Sequence, residues 1–436
     1  MRRTVARNHG GLPLRREQPR QPSVSPQYDL KGNRLVAANR SQRSKRTLAG
    51  ATILQIVPAL RDDPAGNAAV DIAQTLVQAG ARAIVASDGG SLVGALRAFG
   101  GEWMPMTTDT RNPLKLRKNA RALHDMIQAE RIDIAHAQCA GAAWSAILAA
   151  DRLPVWLVTS FPDRIAPPSW FNGKFQSALA RGHRMLAPSS YVAAAMIERY
   201  RIPNEKITVI PRRIDTAAFS PAAVHPDRIA ALRRSWGILP GHRVVLVPGR
   251  IAPWNGQMGV ADAARLLIGN GERNVTFVLA GDDRAEPSYT KAVLRRAHVH
   301  HIDTLFRVVG HTPDMPTALA AADVVVIPAL KPPLSGRAAA EAQAMGRPVI
   351  TNAVGLLPEY VLTPPRMPEH LRTGWLARPG QAGDLARGIA AALQLDAAAY
   401  EALGARARQF AEFMFSPPAV AVAIRGVYTS LLAREP

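Results

Sequence analysis

From residue 50 onwards, short apolar runs alternate with longer segments that are rich in Ala, Leu and Arg. The runs have the length of strands, and the segments repeat apolar residues every three or four positions, as a buried helix face does. In the first half, the predicted strands are residues 53–57, 83–86, 132–135, 155–159, 185–187 and 207–210. Near-continuous apolar strands between helices predict a parallel sheet that is covered on both faces.

A second series of strands and helices follows Pro240. Its predicted strands are residues 244–248, 275–280, 306–309, 323–328 and 348–351. The fold class is therefore α/β, with two doubly wound domains whose carboxyl strand ends face a cleft, where open α/β sheets bind ligands. The predicted division is a tail at 1–48, a first domain at 49–215, a linker at 216–240, a second domain at 241–415 and a helix at 416–436 that crosses back to the first domain.

The first 48 residues differ from the rest of the chain. They hold twelve Lys or Arg and two acidic residues, within a net charge of +21 for the whole chain, and they show no apolar period. This composition predicts a disordered basic tail. Nucleic acid or an anionic membrane could attract such a tail, an organelle transit peptide has a similar composition, and a solvated extension that adds solubility is the simpler interpretation.

The remaining composition narrows the classes of protein. The single Cys139 excludes a disulfide framework and a zinc cluster built on cysteine pairs. The longest uninterrupted apolar run, residues 139–150, is shorter than the roughly 18 residues that span a bilayer. We therefore predict a cytoplasmic protein. The chain contains no Asp-x-Asp, and neither Gly-x-Gly-x-x-Gly nor a P-loop follows the first strand, so we expect no metal or other cofactor.

One stretch of the second half suggests chemistry. A predicted strand ends at Pro328, a loop carries Ser335, Gly336 and Arg337, and a helix with one acidic residue, Glu341, follows. A helix N-terminus after a glycine-bearing loop offers free N–H groups and a positive dipole end, which suit phosphate, and a carboxylate one turn into the helix can bind a ribose diol. The alternative is that Glu341 is a surface residue on an amphipathic helix. These residues alone do not favour the ribose-binding interpretation over the surface one.

This stretch resembles the signature of the family 4 retaining glycosyltransferases of the GT-B fold, which have two Rossmann-like domains. The resemblance continues in Leu279-Ala280-Gly281-Asp282-Asp283, Val309-Gly310-His311 and Val209-Ile210-Pro211-Arg212. It implies transfer of a sugar from a nucleotide diphosphate sugar to a glycan or glycolipid, with Arg250 as the catalytic residue. It also implies a donor site and an acceptor side of the cleft. The donor site would comprise Gly249, Arg250, Asn255, His311, Ser335, Gly336, Arg337 and Glu341, and the acceptor side Gly66, His136 and Phe161. His136 ends a strand and could equally be a packed core residue.

Four positions depart from the family pattern. The first glutamate of the family's pair is Pro333 here, which has neither a carboxylate nor an N–H. The lysine of the diphosphate clamp is Asn255, which carries no charge. The glycine-rich loop after the first strand reads Ala65-Gly66, and the histidine after the fourth strand aligns with Phe161.

Three hypotheses follow. The first is an active glycosyltransferase that is metal-independent and reaches its acceptor at an anionic membrane. The second is a pseudoenzyme of the same fold that binds a nucleotide, a glycan or a partner protein. The third, nucleic-acid binding through the basic tail, depends on charge alone and is the least favoured.

Overall fold

The computed structural model describes residues 47–163 and 170–434, which form two parallel sheets flanked by helices. The predicted basic tail, apart from its last two residues, lies outside the described residues. The α/β class and the tandem arrangement of two Rossmann-like domains are confirmed.

The first sheet contains seven strands. These are β1 (Thr52–Ile56), β2 (Arg82–Ser87), β3 (Glu102–Pro105), β4 (Ile134–Ala137), β5 (Trp156–Ser160), β6 (Arg184–Ala187) and β7 (Ile207–Val209). Their order is β3-β2-β1-β4-β5-β6-β7, and all neighbours are parallel. The helices are α1 (Pro64–Gln78), α2 (Val93–Ala98), α3 (Pro113–Ala129), α4 (Ala140–Ala149), α5 (Trp170–Gln176) and α6 (Ser190–Tyr200). The strand order reverses direction between β1 and β4, which is where sheets of this kind open a crevice.

The second sheet repeats this plan with six parallel strands. These are β8 (Arg243–Pro248), β9 (Val275–Ala280), β10 (Phe306–Gly310), β11 (Val324–Ile327), β12 (Val349–Asn352) and β13 (Gly374–Ala377). Their order is β10-β9-β8-β11-β12-β13, so the strand order reverses direction between β8 and β11. This place is called the switch point of the second sheet. The helices are α7 (Pro226–Ser235), α8 (Gln257–Gly269), α9 (Pro287–Val299), α10 (Met315–Ala321), α11 (Arg337–Ala344), α12 (Ala382–Leu393), α13 (Ala397–Phe415) and α14 (Pro417–Leu432).

Local sequence explains where several helices begin. Asp63, Asn112 and Ser416 each accept hydrogen bonds from the first backbone N–H groups of the helix that follows, and a proline occupies the first helical position. Proline has no N–H to leave unsatisfied there, and its fixed φ suits the first turn. These caps set the starts of α1, α3 and α14.

The stretch predicted as a linker contributes to the second domain. It contains α7, and Phe219, Val224 and Trp236 are buried in the apolar core that this domain builds on one face of its sheet. These side chains attach residues 216–240 to the second domain rather than leaving them as a bare connection.

The C-terminal helix returns to the first domain, as predicted. Val420, Ile424, Val427 and Leu431 of α14 are buried against α1 and the first sheet. The stretch Ala397–Leu432 is long and apolar enough to cross a membrane by length and composition. The structure divides it at Ser416, whose backbone is extended, into α13 and α14.

Candidate functional site

The loop after β8 presents Arg250 at the reversal point of the second sheet. Gly249 has a positive φ of 117°, and the exposed Arg250 follows it. The Arg250 carbonyl accepts hydrogen bonds from Asn255 Nδ2 at 2.7 Å and from Gln257 Nε2 at 3.0 Å. Within the described residues, the Arg250 guanidinium has no hydrogen-bond or ion-pair partner, so it is available to an anionic ligand.

A second loop packs against this one. The loop after β11 donates the Leu330 N–H to the Trp254 carbonyl at 2.8 Å. A Cβ at Gly256, where φ is 75°, would lie 2.0 Å from the Pro328 carbonyl oxygen, so only glycine allows this approach. The loops that carry Arg250 and Ser335 are therefore held together at the switch point.

The start of α11 combines an open helix end with a buried carboxylate. Gly336 is the N-cap residue, and no side chain in the described part of the chain caps this N-terminus. Glu341 is buried with 7% of its side chain exposed, and it accepts a hydrogen bond from Arg337 Nε at 2.5 Å. Burial raises the pKa of the Glu341 carboxyl, and the Arg337 guanidinium offsets only part of this rise. The half-buried Ser335 and the exposed Arg337 both line the cleft.

Tyr360 fixes the course of this loop. Its ring stacks on Phe415, with the centroids 4.7 Å apart and an angle of 5° between the planes. A Cβ on Gly336 would come within 2.3 Å of the Tyr360 ring, so the loop touches the aromatic face only because residue 336 is glycine. The uncapped N-terminus of α11 thus rests on a rigid aromatic pair.

His311 is placed apart from these groups. It follows β10, the edge strand of the second sheet, and its side chain is exposed. Like Gly249, Arg250, Asn255 and Glu341, it does not line the cavity that contains Ser335 and Arg337.

A cavity of about 590 Å³ lies between the two domains. Its first-domain wall is formed by the loop after β1, the end of β5 and residues 210–215, and Ser335, Arg337 and Tyr360 close it from the second domain. Arg212 forms a two-pronged ion pair with Asp163, at 3.1 and 3.0 Å, and Arg213 pairs with Asp71. The cavity is large enough for a small ligand and is lined by groups that donate and accept hydrogen bonds.

Gly66 lies in the first turn of α1. A Cβ there would meet the Arg61 carbonyl oxygen at 2.1 Å, so the glycine serves a close backbone approach. Its N–H donates to Asp63 Oδ1 at 2.8 Å, and the Ala65 N–H donates to the same oxygen at 3.0 Å. Gly66 itself is buried behind the cavity wall, which is lined instead by its neighbours Asp63 to Ala65.

Phe161 and His136 have different surroundings. Phe161 lines the cavity although it is 97% buried, with 3% of its surface exposed. His136 does not line the cavity: it is fully buried, its Nε2 shares a hydrogen bond of 2.7 Å with Ser160 Oγ, and its Nδ1 shares one of 2.8 Å with the Tyr428 hydroxyl of α14. Burial lowers the pKa of His136 to about 3, so the imidazole is neutral. His136 is therefore a packed core residue, the second of the two interpretations that the sequence allowed. Its hydrogen-bond partner Ser160 lines the cavity instead.

We expect Tyr428→Phe to lower the free energy of unfolding by about 1–3 kcal/mol, because it leaves Nδ1 of a buried imidazole without a partner. The ring, and therefore the packing of α14, is retained. Urea unfolding measures the effect, and Tyr191→Phe, at a tyrosine that is 38% exposed, is the matched control. Equal stability of the two variants would contradict this role of the Tyr428 hydroxyl.

A carboxylate of the second domain joins the two domains directly. Glu359 accepts hydrogen bonds from the backbone N–H groups of Ser190, at 2.7 Å, and Tyr191, at 2.6 Å, at the start of α6. A carboxylate at a helix N-terminus is favoured by both the free N–H groups and the dipole. Glu359 also precedes Tyr360, so this contact is adjacent to the residue that supports the α11 loop.

Sequence reasoning missed Asp63, Glu359, Tyr360 and the Arg212–Asp163 pair. Asp63 was recognisable from the sequence as a helix cap, because it precedes Pro64. The other three depend on contacts between distant segments, for which the chain carries no local signal.

Two family descriptions match the chain. Residues 65–218 match Glycosyltransferase Family 4, and residues 242–395 match Glycosyl transferases group 1. The D-inositol 3-phosphate glycosyltransferase of Pseudarthrobacter chlorophenolicus is 30% identical over 205 residues, which are 47% of this chain and 46% of that protein. The chain thus matches about half the length of such relatives.

Solved structures are similar over most of the chain. A glycosyltransferase from Rickettsia africae superposes with a TM-score of 0.75 at 24% identity, over 88% of this chain and 99% of that one. HepE from Anabaena, in complex with UDP, superposes with a TM-score of 0.69 at 21% identity, over 87% of this chain and 100% of that one. At these identities the likenesses show the fold, two Rossmann-like domains that face a cleft.

Proposed function

This chain belongs to family 4 of the glycosyltransferases, with the GT-B fold, and we propose that it transfers a sugar from a nucleotide diphosphate sugar to a glycan or glycolipid acceptor. The observation that carries the proposal is that two features suited to an anion follow β8 and β11, the strands on either side of the switch point of the second sheet. They are Arg250, which has no ion-pair partner among the described residues, and the N-terminus of α11, which no side chain there caps. A cation and free N–H groups on neighbouring loops suit a diphosphate.

Each group has a task in such a transfer. The anomeric carbon leaves a diphosphate oxygen and bonds to an acceptor hydroxyl oxygen, whose proton is released. Arg250 and the start of α11 would neutralise the charge that develops on the departing diphosphate, and Glu341 would accept hydrogen bonds from the ribose diol. This scheme requires no metal ion, and retention of the anomeric configuration is what family membership implies.

Several findings support nucleotide-sugar use. The HepE structure holds UDP, and another structure of the same protein holds UDP-glucose. We propose a cytoplasmic protein, and its net charge of +21 would favour contact with an anionic membrane surface, where a lipid-linked acceptor is presented.

The pseudoenzyme hypothesis retains one specific observation. Asn255 stands where the family has a lysine, and its side chain is engaged in holding the Arg250 carbonyl. In addition, Phe161 and Pro333 stand where the family has a histidine and a glutamate, and neither has a polar side chain. In this second hypothesis the nucleotide binds but no sugar is transferred.

We expect one nucleotide of the panel UDP, GDP and ADP to raise thermal stability, and Glu341→Gln to weaken its binding by about 10- to 100-fold, because hydrogen bonds to a charged acceptor are worth about 1.5–3 kcal/mol. At 100 times its dissociation constant a ligand adds about 2.7 kcal/mol of stability, which a thermal-shift assay detects.

The matched control is Glu412→Gln, which breaks a similar i,i+4 ion pair, that of Arg408 with Glu412, on α13. No shift of the wild type by any nucleotide at millimolar concentration would overturn the donor site. An equal loss of binding in both variants would overturn the role of Glu341.

A further inference from the structure

Two helix N-termini at the cleft, those of α11 and α1, differ in what satisfies their backbone N–H groups. The N-terminus of α11 lacks a side-chain cap within the described residues, whereas at α1 the Asp63 carboxylate accepts the N–H groups of Ala65 and Gly66. A helix N-terminus is a ready site for an external anion. At α1 that place is already filled by a carboxylate of the chain itself.

The charged groups of the cavity reinforce this difference. Its lining contains five aspartates and three arginines: Asp62, Asp63, Asp71, Asp163, Asp215, Arg212, Arg213 and Arg337. Each arginine has a carboxylate partner: Arg212 pairs with Asp163, Arg213 with Asp71, and Arg337 with Glu341. The cavity therefore offers no unpaired guanidinium among the residues that the structure describes.

Asp62 and Asp63 have no cationic side-chain partner among the described residues. Asp62 Oδ1 accepts a hydrogen bond from Asn67 Nδ2 at 2.9 Å, and in the described part of the chain neither aspartate pairs with a Lys or Arg side chain. The wall beside α1 is consequently negative, although the whole chain carries a net charge of +21.

We propose that Asp63 is a specificity-determining residue, which makes the wall beside α1 accept the hydroxyl groups of an uncharged saccharide or polyol and exclude a phosphorylated acceptor. The inference rests on the proposed function, because it names the acceptor class of the same cleft. Carboxylate oxygens accept hydrogen bonds from hydroxyl groups, whereas a phosphate would meet two carboxylates and a helix end whose N–H groups are occupied. The relative from Pseudarthrobacter, by contrast, is named for an inositol phosphate.

The test compares myo-inositol and D-inositol 3-phosphate as probes, titrated by calorimetry into the wild type and Asp63→Asn. Asparagine caps helices as well as aspartate does, so this variant removes the charge and keeps the cap. We expect the wild type to discriminate against D-inositol 3-phosphate, and Asp63→Asn to raise affinity for it by at least about tenfold, as loss of one nearby like charge predicts. The affinity for myo-inositol should fall, because its hydroxyl groups bind more weakly to an amide than to a carboxylate.

Asp396→Asn is the matched control, because Asp396 caps α13 by accepting the Ala399 N–H at 2.8 Å and does not line the cavity. The inference is overturned if the wild type binds the phosphorylated probe more tightly than myo-inositol. It is also overturned if Asp63→Asn gains no more affinity than Asp396→Asn, including the case in which no variant binds the probe. UDP titrated into the same proteins reports separately on the donor site, so failure of the proposed function is recognised independently.

Discussion

Replacing Arg250 by alanine should lower the rate of sugar transfer by about 10²–10³, the usual cost of removing one group that stabilises a developing negative charge. The guanidinium is exposed at the switch point, and its loop is held by the Asn255 and Gln257 side chains, which bind the Arg250 carbonyl. Truncation of the side chain therefore leaves the loop in place. Initial rates with a saturating acceptor measure the change.

Two further variants make the Arg250 result specific. Arg250→Lys keeps the charge and should recover part of the lost rate. Arg284→Ala removes the same charge nearby from an arginine that is already paired with Asp282 at 2.7 Å, and it should have little effect. If Arg250→Ala and Arg284→Ala lowered the rate equally, the effect would be one of net charge, and Arg250 would have no specific role.

Most of the fold was predictable because parallel strands are buried on both faces and therefore appear as continuous apolar runs. All eleven predicted strands exist, with ends that differ by at most two residues. The two strands that were missed, β3 and β13, lie at sheet edges. Both are partly exposed and only four residues long, β3 has Glu102 and Pro105 at its ends, and β13 begins with Gly374, so neither forms a long apolar run.

The donor side of the site was easier to predict than the acceptor side. Ser335, Gly336, Arg337 and Glu341 lie within seven consecutive residues, so a single helix start brings them together. His136, in contrast, ends a strand whose surroundings are completed by Tyr428, 292 residues later in the chain. No local pattern could show that α14 would cover it.

The departures from the family pattern have structural consequences of different kinds. Phe161 is packed in the cavity wall, so a polar group at that end of the first sheet comes from Ser160, which is anchored by His136. Asn255 is engaged in a backbone contact that a second side chain, Gln257, also makes. A charged side chain at position 161 would disrupt the packing of the cavity wall. At position 255 it would not, because Gln257 still holds the Arg250 carbonyl.

Asn255→Lys should accordingly raise the rate of sugar transfer by about 10- to 100-fold, because it adds a cation beside Arg250 where the diphosphate charge develops. The Arg250 carbonyl keeps the hydrogen bond from Gln257 Nε2 at 3.0 Å, so the loop should hold its course. Initial rates with the nucleotide sugar identified by thermal shift measure the gain.

Asn270→Lys is the control, because it adds the same charge at the exposed residue that follows the other end of α8. A gain in both variants would indicate a general effect of charge on donor attraction. If Asn255→Lys binds the nucleotide more tightly but transfers no sugar, the missing charge is not what limits the chemistry. The pseudoenzyme hypothesis would then be favoured, since Pro333 and Phe161 would remain as losses that one cation cannot replace.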